Sequence, residues 1–240
     1  MKRNLYNKVA DYEAVHWWFK GRRKIIEKSL KFFIKPNTKN TILEISCGSG
    51  GNLKMLSKFG KLSATEMDAK VRKIAQQKKI CPVHYGKLPD ELSTQKKDII
   101  CIFDVLEHVQ NDKKSLQTIR TKLNKDGLLI VTVPALMSLW SQHDVVNHHK
   151  RRYTKKILKK LLQTAGYQVI YSTYFNFFLF PLVFLIRFFN RFKKKPKGDL
   201  TLPTPIINSI LTGIFSMEKL LIPRFSFPIG VSLLFVAKKI

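Results

Sequence analysis

The chain has 240 residues, of which 45% are hydrophobic, so it can bury one good core and is not a disordered polypeptide. Lysine and arginine number 44 against 16 acidic residues, which gives a formal net charge of +28 at pH 7. This charge favours contact with an anionic membrane or a nucleic acid, unless it only reflects a lysine-rich composition spread along the chain.

Cysteine usage and the first residues indicate a reducing compartment. Cys47, Cys81 and Cys101 show no CxxC spacing and lie in or beside apolar runs, as buried reduced thiols do. Met1 to Lys8 is polar and no apolar core follows, so we expect no secretory signal. We therefore expect a cytoplasmic protein, with peripheral contact at the inner face of the membrane as a further expectation.

Residues 1–38 are predicted to form an N-terminal helical cap. Three consecutive aromatic residues, Trp17 to Phe19, interrupt an otherwise polar segment, and apolar residues follow at helical spacing from Ile25. Aromatic residues in a row are costly to leave exposed. They either pack the helix onto the sheet or form a lid or an acceptor-site wall, and Trp17 and Trp18 are candidate substrate-binding residues.

A glycine-rich loop follows the first predicted strand, residues 41–46. Gly48, Ser49, Gly50 and Gly51 form a turn without obstructing side chains, and a helix is predicted over 52–58. A strand, a glycine turn and a helix N-terminus together let a ligand lie against bare backbone.

The second strand, residues 62–66, ends at Glu66. This carboxylate comes about 20 residues after the glycine loop, where it can accept hydrogen bonds from both ribose hydroxyls of an adenosine. The alternative is a surface acid at a strand end. Asp68 is predicted as the N-cap of a helix over 69–77.

Strands and helices continue to alternate through the next segment. Strands are predicted over 82–85, 98–103 and 128–133, with a helix over 112–123 and a turn at Asn124–Gly127 before the last of them. This alternation indicates a parallel doubly wound sheet, in which ligands bind beyond the carboxyl ends of the strands. The glycine loop, Glu66, Gly86 and Asp104 all fall at such ends and are expected to meet in one crevice.

The stretch from Trp140 to Tyr153 is rich in histidine and arginine. His143 and His149 are candidate general bases, with Asp144 as the group that orients them. A helix over 154–165 and a sixth strand over 167–173 follow. The basic end of the stretch suits an anionic acceptor, and its candidate substrate-binding residues are Arg151, Arg152 and Tyr153. The alternatives are loop packing for the histidines and a solvated helix start for the basic residues.

Composition changes again at residue 175. Residues 177–186 are wholly apolar, and basic residues follow from Arg187 to Lys197. Ten apolar residues containing a proline are too few for a membrane span, which needs about 20. The segment favours a helix lying in an anionic membrane interface, or a buried hairpin against the sheet edge or a second subunit. A helix over 205–222 and a seventh strand over 230–237 end the chain.

Taken together, the motifs resemble those of class I S-adenosylmethionine-dependent methyltransferases, in a branch with small-molecule and ubiquinone-type members. The similar segments are Glu44-Ile-Ser-Cys-Gly-Ser-Gly50, Glu66-Met67-Asp68 and Phe103-Asp104-Val-Leu-Glu-His108. The resemblance implies a Rossmann-like α/β fold with seven strands, mostly parallel with the last strand antiparallel, flanked by helices. It implies one domain, with a cap over 1–38, a cofactor-binding core over 39–174, a hydrophobic and basic helical insertion over 175–228 and the last strand over 229–240.

The resemblance also implies the cofactor, S-adenosyl-L-methionine, and its product, S-adenosyl-L-homocysteine. Cofactor-binding roles follow for Glu44, Ser46, Gly48, Gly50, Glu66, Met67, Lys87, Leu88, Phe103 and Asp104. Ser46 departs from the family pattern, which most often has glycine there. The expected reaction is in-line transfer of a methyl group to a small or lipid-linked acceptor, at an oxygen.

Rival interpretations assign other functions to the glycine loop and to the positive net charge. A nucleic-acid methyltransferase would use the basic surface, but the base-directed Asn/Asp-Pro-Pro-aromatic motif is missing and we do not expect a nucleic-acid partner. A nicotinamide dehydrogenase would have a third glycine after the loop, where this chain has Leu53. A non-catalytic membrane adaptor with a degenerate fold is the third alternative. The sequence predicts no metal site.

Overall fold

One seven-stranded sheet forms the centre of the molecule. The computed structural model describes residues 12–34, 39–190 and 202–240. The strands are β1 (Thr41–Ile45), β2 (Lys61–Thr65), β3 (Val83–His84), β4 (Lys97–Phe103), β5 (Leu123–Pro134), β6 (Tyr167–Phe175) and β7 (Ser232–Lys239). They are arranged in the order β3-β2-β1-β4-β5-β7-β6, and only β7 runs antiparallel to its two neighbours. The predicted fold class, with its antiparallel last strand, is confirmed.

Helices cover both faces of this sheet. They are α1 (Trp17–Phe33), α2 (Leu53–Leu56), α3 (Ala69–Gln77), α4 (Asp112–Thr121), α5 (Gln142–Val146), α6 (Lys155–Thr164), α7 (Phe180–Asn190) and α8 (Pro205–Met217), with short 3-10 turns at Met137–Leu139 and Glu218–Leu220. Side chains of α1, α2, α3 and α8 belong to one buried apolar cluster. Those of α4 and α6 belong to a second cluster on the opposite face. Strands covered on both sides are apolar throughout, as β4 is at Ile99 to Phe103.

Local sequence signals account for several helix starts. The Asp68 side chain accepts hydrogen bonds from the backbone N–H groups of Lys70 and Val71, which confirms the predicted N-cap of α3. Thr154 caps α6 through the N–H of Ile157. Helix α2 is shorter than the predicted 52–58.

The turn predicted at Asn124–Gly127 is wrong, because these residues belong to β5. Helix α4 ends at Thr121, and Leu123 already pairs with Lys97 of β4. The ladder shifts register between Lys97 and Ile99, so the polar residues 124–127 form an irregularity inside the strand pairing. A sequence rich in turn formers therefore marks a bulge here.

The insertion before β7 packs against the N-terminal helix. Phe215 of α8 stacks on Trp18, with ring centroids 5.3 Å apart, and meets Trp17 edge-on at 5.9 Å. A Cβ on Gly21 of α1 would lie 2.3 Å from the Phe215 ring, so glycine permits this close approach. Along the described parts of the chain, no helix combines the length and apolar character that crossing a membrane requires.

Only part of the basic end of the insertion belongs to the described residues. Arg187 of α7 is buried and donates from Nη1 to the Leu139 carbonyl at 2.8 Å, so it faces the interior. This corrects its predicted place in an exposed basic end. Arg191 and the lysines from Lys193 to Lys197 lie outside the described residues, as do residues 1–11 and 35–38 of the predicted cap.

Candidate functional site

A cavity of about 600 Å³ opens at the carboxyl ends of the central strands. Parallel strands present their functional loops at this edge of the sheet. Residues of β1, β4, β5 and the loops after them form the floor, and the N-terminal segment with α7 and α8 forms the roof. Its polar lining residues include Glu13, His16, Arg22, Glu44, Ser46, Asn52, Asp104, Glu107, His108, His143, Asn147, His149, Arg152, Asn176 and Arg187.

The glycine loop has the backbone conformation that its sequence requires. Gly48 and Gly50 have φ values of 57° and 82°, in the left-handed region that glycine adopts without steric cost. Ser46 has a φ of 55°, so a residue with a Cβ occupies a position that favours glycine. This explains why the related pattern has glycine there. Ser46 and Gly48 line the cavity, whereas Gly50 forms the turn behind it.

Two carboxylates flank the glycine loop inside the cavity. Glu44 on β1 is buried and accepts a hydrogen bond from Asn52 Nδ2 at 2.8 Å, while its Oε2 has no partner among the described residues. Burial raises the pKa of Glu44 to about 8, despite the opposing hydrogen bond from Asn52. The Glu13 carboxylate accepts a hydrogen bond from Ser49 Oγ and lies over Gly51. The loop environment is therefore acidic.

Glu66 is turned toward the loop backbone. Its carboxylate accepts the N–H of Gly48 at 3.0 Å and the N–H of Asp68 at 2.9 Å. It is buried and does not line the cavity. In this structure Glu66 fixes the loop, and a ribose contact would require it to exchange these partners.

Three other predicted cofactor residues do not line the cavity. The side chain of Met67 is exposed, and Lys87 forms an exposed ion pair with Glu91 at 3.7 Å. Leu88 is buried in the apolar cluster that includes α4 and α6. The structure therefore brings together the residues expected near the methionine part of the cofactor and leaves these three apart.

Phe103 and Asp104 at the end of β4 lie on the cavity wall, as expected for residues after a central strand. Asp104 accepts a hydrogen bond from Thr132 Oγ1 at 3.1 Å and forms an ion pair with Arg22 of α1. Arg22 is buried, so the guanidinium and the carboxylate neutralise each other away from bulk water. This pair links the N-terminal helix to the floor of the cavity.

Another wall of the cavity, the histidine wall, is formed by His143, His149 and Arg152 of the histidine-rich stretch. His149 Nδ1 lies 2.8 Å from Oδ1 of Asp144, and Arg152 contacts both oxygens of that carboxylate, through Nε at 2.8 Å and Nη2 at 2.9 Å. Burial alone would raise the pKa of Asp144, but the hydrogen bonds from His149 and Arg152 hold it below its usual range. His143 stands beside His149, with ring centroids 5.9 Å apart.

The predicted substrate-binding residues separate into two groups. Arg152 lines the cavity, but its guanidinium is paired with the Asp144 carboxylate. Trp17 and Trp18 line the roof. Arg151 pairs with Asp112 at 2.8 Å and does not reach the cavity. Tyr153 is buried outside it, with its hydroxyl 3.0 Å from the same Asp112 carboxylate. Trp18 also stacks on Phe175 of β6, with ring centroids 6.2 Å apart, which is the packing onto the sheet that the sequence offered as one interpretation of the aromatic run.

Several cavity residues were not predicted as site residues. Glu107 is completely buried, and both of its carboxylate oxygens lack a hydrogen-bond partner in the described part of the chain. Burial, reinforced by nearby Asp104, raises the pKa of Glu107 well above its usual value. Asn176 is buried with an amide that has no partner among the described residues. The Glu107-His108 dipeptide was a signal, because two polar residues directly after a central strand are poorly explained by packing alone.

Comparison with protein families gives a decisive match. A family model described as a methyltransferase domain matches residues 17–172, which is well over half of the chain. The chain belongs to the methyltransferase domain family. The matched range contains the glycine loop, Asp104 and the histidine wall, but not the insertion. No curated protein sequence matches the chain.

Solved methyltransferases have the same fold. A S-adenosylmethionine-dependent methyltransferase from Clostridium acetobutylicum has a TM-score of 0.60 at 13% identity, covering 98% of this chain and 99% of its own. One from Thermotoga maritima has a TM-score of 0.60 at 16% identity, covering 98% and 97%. The geranyl diphosphate C-methyltransferase of Streptomyces coelicolor, solved with S-adenosyl-L-homocysteine, has a TM-score of 0.60 at 10% identity, covering 90% and 75%.

Proposed function

We propose that this methyltransferase uses S-adenosyl-L-methionine and transfers its methyl group to an oxygen of a small or lipid-linked acceptor. The observation that carries the cofactor assignment is the pair of carboxylates, Glu13 and Glu44, at the glycine loop. The Glu13 carboxylate repels the phosphates that such loops bind in dinucleotide enzymes. Glu44 loses its proton beside an ammonium group, and both carboxylates then attract the ammonium and sulfonium charges of S-adenosylmethionine. A nicotinamide dinucleotide would meet acidic groups where it needs bare backbone donors.

Methyl transfer from a sulfonium needs positioning more than covalent help. The acceptor oxygen attacks the methyl carbon in line with the carbon–sulfur bond, and the electron pair of that bond stays on sulfur, which becomes neutral. Holding both groups in near-attack geometry with water excluded supplies most of the acceleration. Phe103 and the buried pair Arg22–Asp104 support this role, since they line the cavity between the glycine loop and the histidine wall.

An oxygen acceptor must also lose its proton. His143 and His149 both line the cavity, and Asp144 orients His149 through its Nδ1. Histidine is the commonest general base in enzymes, so either ring is suited to accept the proton of a hydroxyl group. We assign the base to this pair of histidines.

The roof of the cavity favours an amphiphilic acceptor. Leu182, Val183 and Ile186 of α7 line the cavity together with Pro203 and Leu211. An apolar roof beside a polar wall fits a molecule with a polar group at the histidines and an apolar chain between α7 and α8.

The outer surface of the same helices supports contact with an anionic membrane. Large apolar side chains are exposed along α7 and α8, among them Phe184, Leu185, Phe188, Phe189, Ile206, Ile207 and Ile210. Exposed patches of this kind mark membrane or protein interaction sites. The net charge of +28 favours an anionic lipid surface over a neutral one. A lipid-linked acceptor could then enter the cavity from the membrane side.

Calorimetry tests the cofactor assignment. We expect S-adenosyl-L-homocysteine to bind with one site per chain and NADH to give no heat of binding. Binding of NADH with no binding of S-adenosyl-L-homocysteine would contradict the assignment.

Liposome flotation tests the membrane contact. We expect the protein to float with vesicles containing phosphatidylglycerol, and the double variant Phe188→Asp, Phe189→Asp to remain in the soluble fraction. A matched control, Lys113→Asp with Lys114→Asp on α4, changes the net charge more strongly but leaves the apolar surface intact. Equal flotation of the wild type and the Phe188/Phe189 variant would contradict membrane contact through α7.

A further inference from the structure

Three side chains in the cavity wall have the composition of a metal site. The donor atoms of Glu107, His108 and His149 all lie within 4.8 Å of one another. In a tetrahedral site with bonds of about 2.1 Å, two donors lie ~3.4 Å apart, so side-chain movements of roughly 0.7 Å at each residue bring all three onto one ion. We propose that these residues bind a divalent transition-metal cation, contrary to the sequence prediction of no metal.

Glu107 supplies the strongest argument for a cation. It is completely buried, it lines the cavity, and neither carboxylate oxygen has a hydrogen-bond partner in the described residues. The two neighbouring carboxylates are neutralised, since Asp104 pairs with Arg22 and Asp144 pairs with Arg152. A buried carboxylate without a partner is costly unless it is protonated or meets a cation.

His149 is held in the orientation of a metal ligand. Its Nδ1 hydrogen-bonds to Asp144 at 2.8 Å, which leaves Nε2 as the nitrogen available to an ion. Ligating histidines usually donate their second ring N–H to a carboxylate in this way, which fixes the tautomer and raises the basicity of the ligand. Arg152 in turn fixes Asp144 through both carboxylate oxygens.

His108 gives the site access to solvent. Its side chain is exposed and its ring centroid lies 4.7 Å from that of His149. An ion can therefore reach the buried carboxylate past an accessible ligand, as a metal site requires. Two imidazoles and one carboxylate suit Zn²⁺, Mn²⁺, Fe²⁺ or Co²⁺ better than Ca²⁺, which prefers oxygen ligands alone.

A bound ion would also activate the hydroxyl group of the acceptor, and this role in catalysis rests on the proposed function. A three-ligand site leaves coordination positions for the acceptor oxygen, and the ion lowers the pKa of a bound hydroxyl group. With His149 serving as ligand, His143 takes the hydroxyl proton. The oxygen–carbon bond then forms as the carbon–sulfur bond breaks, and sulfur keeps the electron pair.

Titration of the whole chain with Co²⁺ tests the site, after treatment with EDTA and exchange into metal-free buffer. Calorimetry and the visible absorption of Co²⁺ report binding. We expect one equivalent in the wild type and affinity lowered at least 10-fold in Glu107→Gln, His108→Gln and His149→Gln. His148→Asn is the matched control, because His148 is exposed outside the cavity and asparagine tolerates its φ of 56°. We expect its Co²⁺ binding to equal that of the wild type.

Either of two results would overturn the metal site. One is that the wild type does not bind Co²⁺, and the other is that His149→Gln binds Co²⁺ as tightly as the wild type does. Melting in EDTA monitors folding, and we expect Glu107→Gln to melt at or above the wild-type temperature because glutamine has nearly the same shape and carries no charge. Titration of the same samples with S-adenosyl-L-homocysteine separates the two proposals. Binding of the cofactor product without Co²⁺ binding refutes only the metal site, and the reverse result refutes only the cofactor assignment.

Discussion

His149 Nδ1 lies 2.8 Å from Oδ1 of Asp144, and this contact lets one buried carboxylate orient the His149 ring in the cavity. The same carboxylate holds the buried guanidinium of Arg152, and its Oδ2 accepts the backbone N–H of Ser141 at the start of α5. Asp144 therefore serves two purposes: it orients an imidazole in the cavity and neutralises an arginine behind it.

Removing this carboxylate is expected to destabilise the fold. Asp144→Ala leaves the Arg152 charge buried without its partner, a change that costs about 3–5 kcal/mol in the free energy of unfolding. Urea denaturation measures it. Asp90→Ala is the control, because Asp90 forms an exposed ion pair with Lys114 that is worth about 1 kcal/mol or less. Equal stability of the two variants would show that Arg152 does not depend on Asp144.

Cofactor binding is expected to release a proton from Glu44. The pKa of this carboxyl is raised to about 8 by burial, so the free protein carries the proton at pH 6.5. An ammonium group beside it favours the carboxylate, and about one proton leaves on binding. At pH 9.5 the group is already ionised and release stops.

Calorimetry with S-adenosyl-L-homocysteine in buffers of different ionisation enthalpy counts these protons. Affinity should rise about tenfold per pH unit below pH 8 and then level off. Glu44→Gln keeps the acceptor for Asn52 and should abolish the buffer dependence. A wild-type enthalpy that is the same in all buffers at pH 6.5 would contradict the predicted contact.

Ser46→Gly is expected to stabilise the protein. The left-handed conformation costs a non-glycine residue ~1–2 kcal/mol, and the added chain entropy of glycine offsets ~0.5–1 kcal/mol of the gain. Thermal denaturation should show a net gain of about 1 kcal/mol. Ser93→Gly, at an exposed position without positive φ, should lose stability instead. A loss in both variants would mean that Ser46 stabilises the loop by a contact that outweighs its backbone strain.

Two glycines test how the insertion packs on the N-terminal helix. Gly21→Ala places a Cβ 2.3 Å from the Phe215 ring and is expected to cost about 1–3 kcal/mol by forcing α8 away from α1. Gly213→Ala, within α8, meets nothing within 4 Å among the described residues and is expected to gain up to ~1 kcal/mol. Denaturation of both variants checks the pair. If Gly21→Ala leaves the free energy of unfolding unchanged, α8 does not pack against α1 at this position.

Much of the fold and part of the site followed from local patterns. The position of Glu44, Gly48 and Asp104 at one edge is a consequence of parallel topology, because carboxyl ends of such strands share an edge. His149 and Asp144 are only five residues apart, so sequence proximity already favoured their contact. These features depend on short-range patterns and on one topological rule.

Other contacts depend on packing between distant segments. Arg22 and Asp104 are 82 residues apart, and no spacing rule joins them. The orientation of the Glu66 carboxylate toward Gly48 depends on the loop conformation, and the missing partners of Glu107 become visible only once every neighbour is in place. Sequence composition likewise gives the apolar character of the insertion but not its position over the cavity.

Transfer of a labelled methyl group to lipid is a direct test of the proposed reaction. The protein is incubated with S-[methyl-¹⁴C]adenosylmethionine, Co²⁺ and a bacterial lipid extract, and label is counted in the organic phase. We predict labelled lipid with the wild type and with His148→Asn, and at least a 100-fold loss with His149→Ala. Binding of S-adenosyl-L-homocysteine without any labelled lipid would contradict the proposed methyl transfer and favour a non-catalytic adaptor.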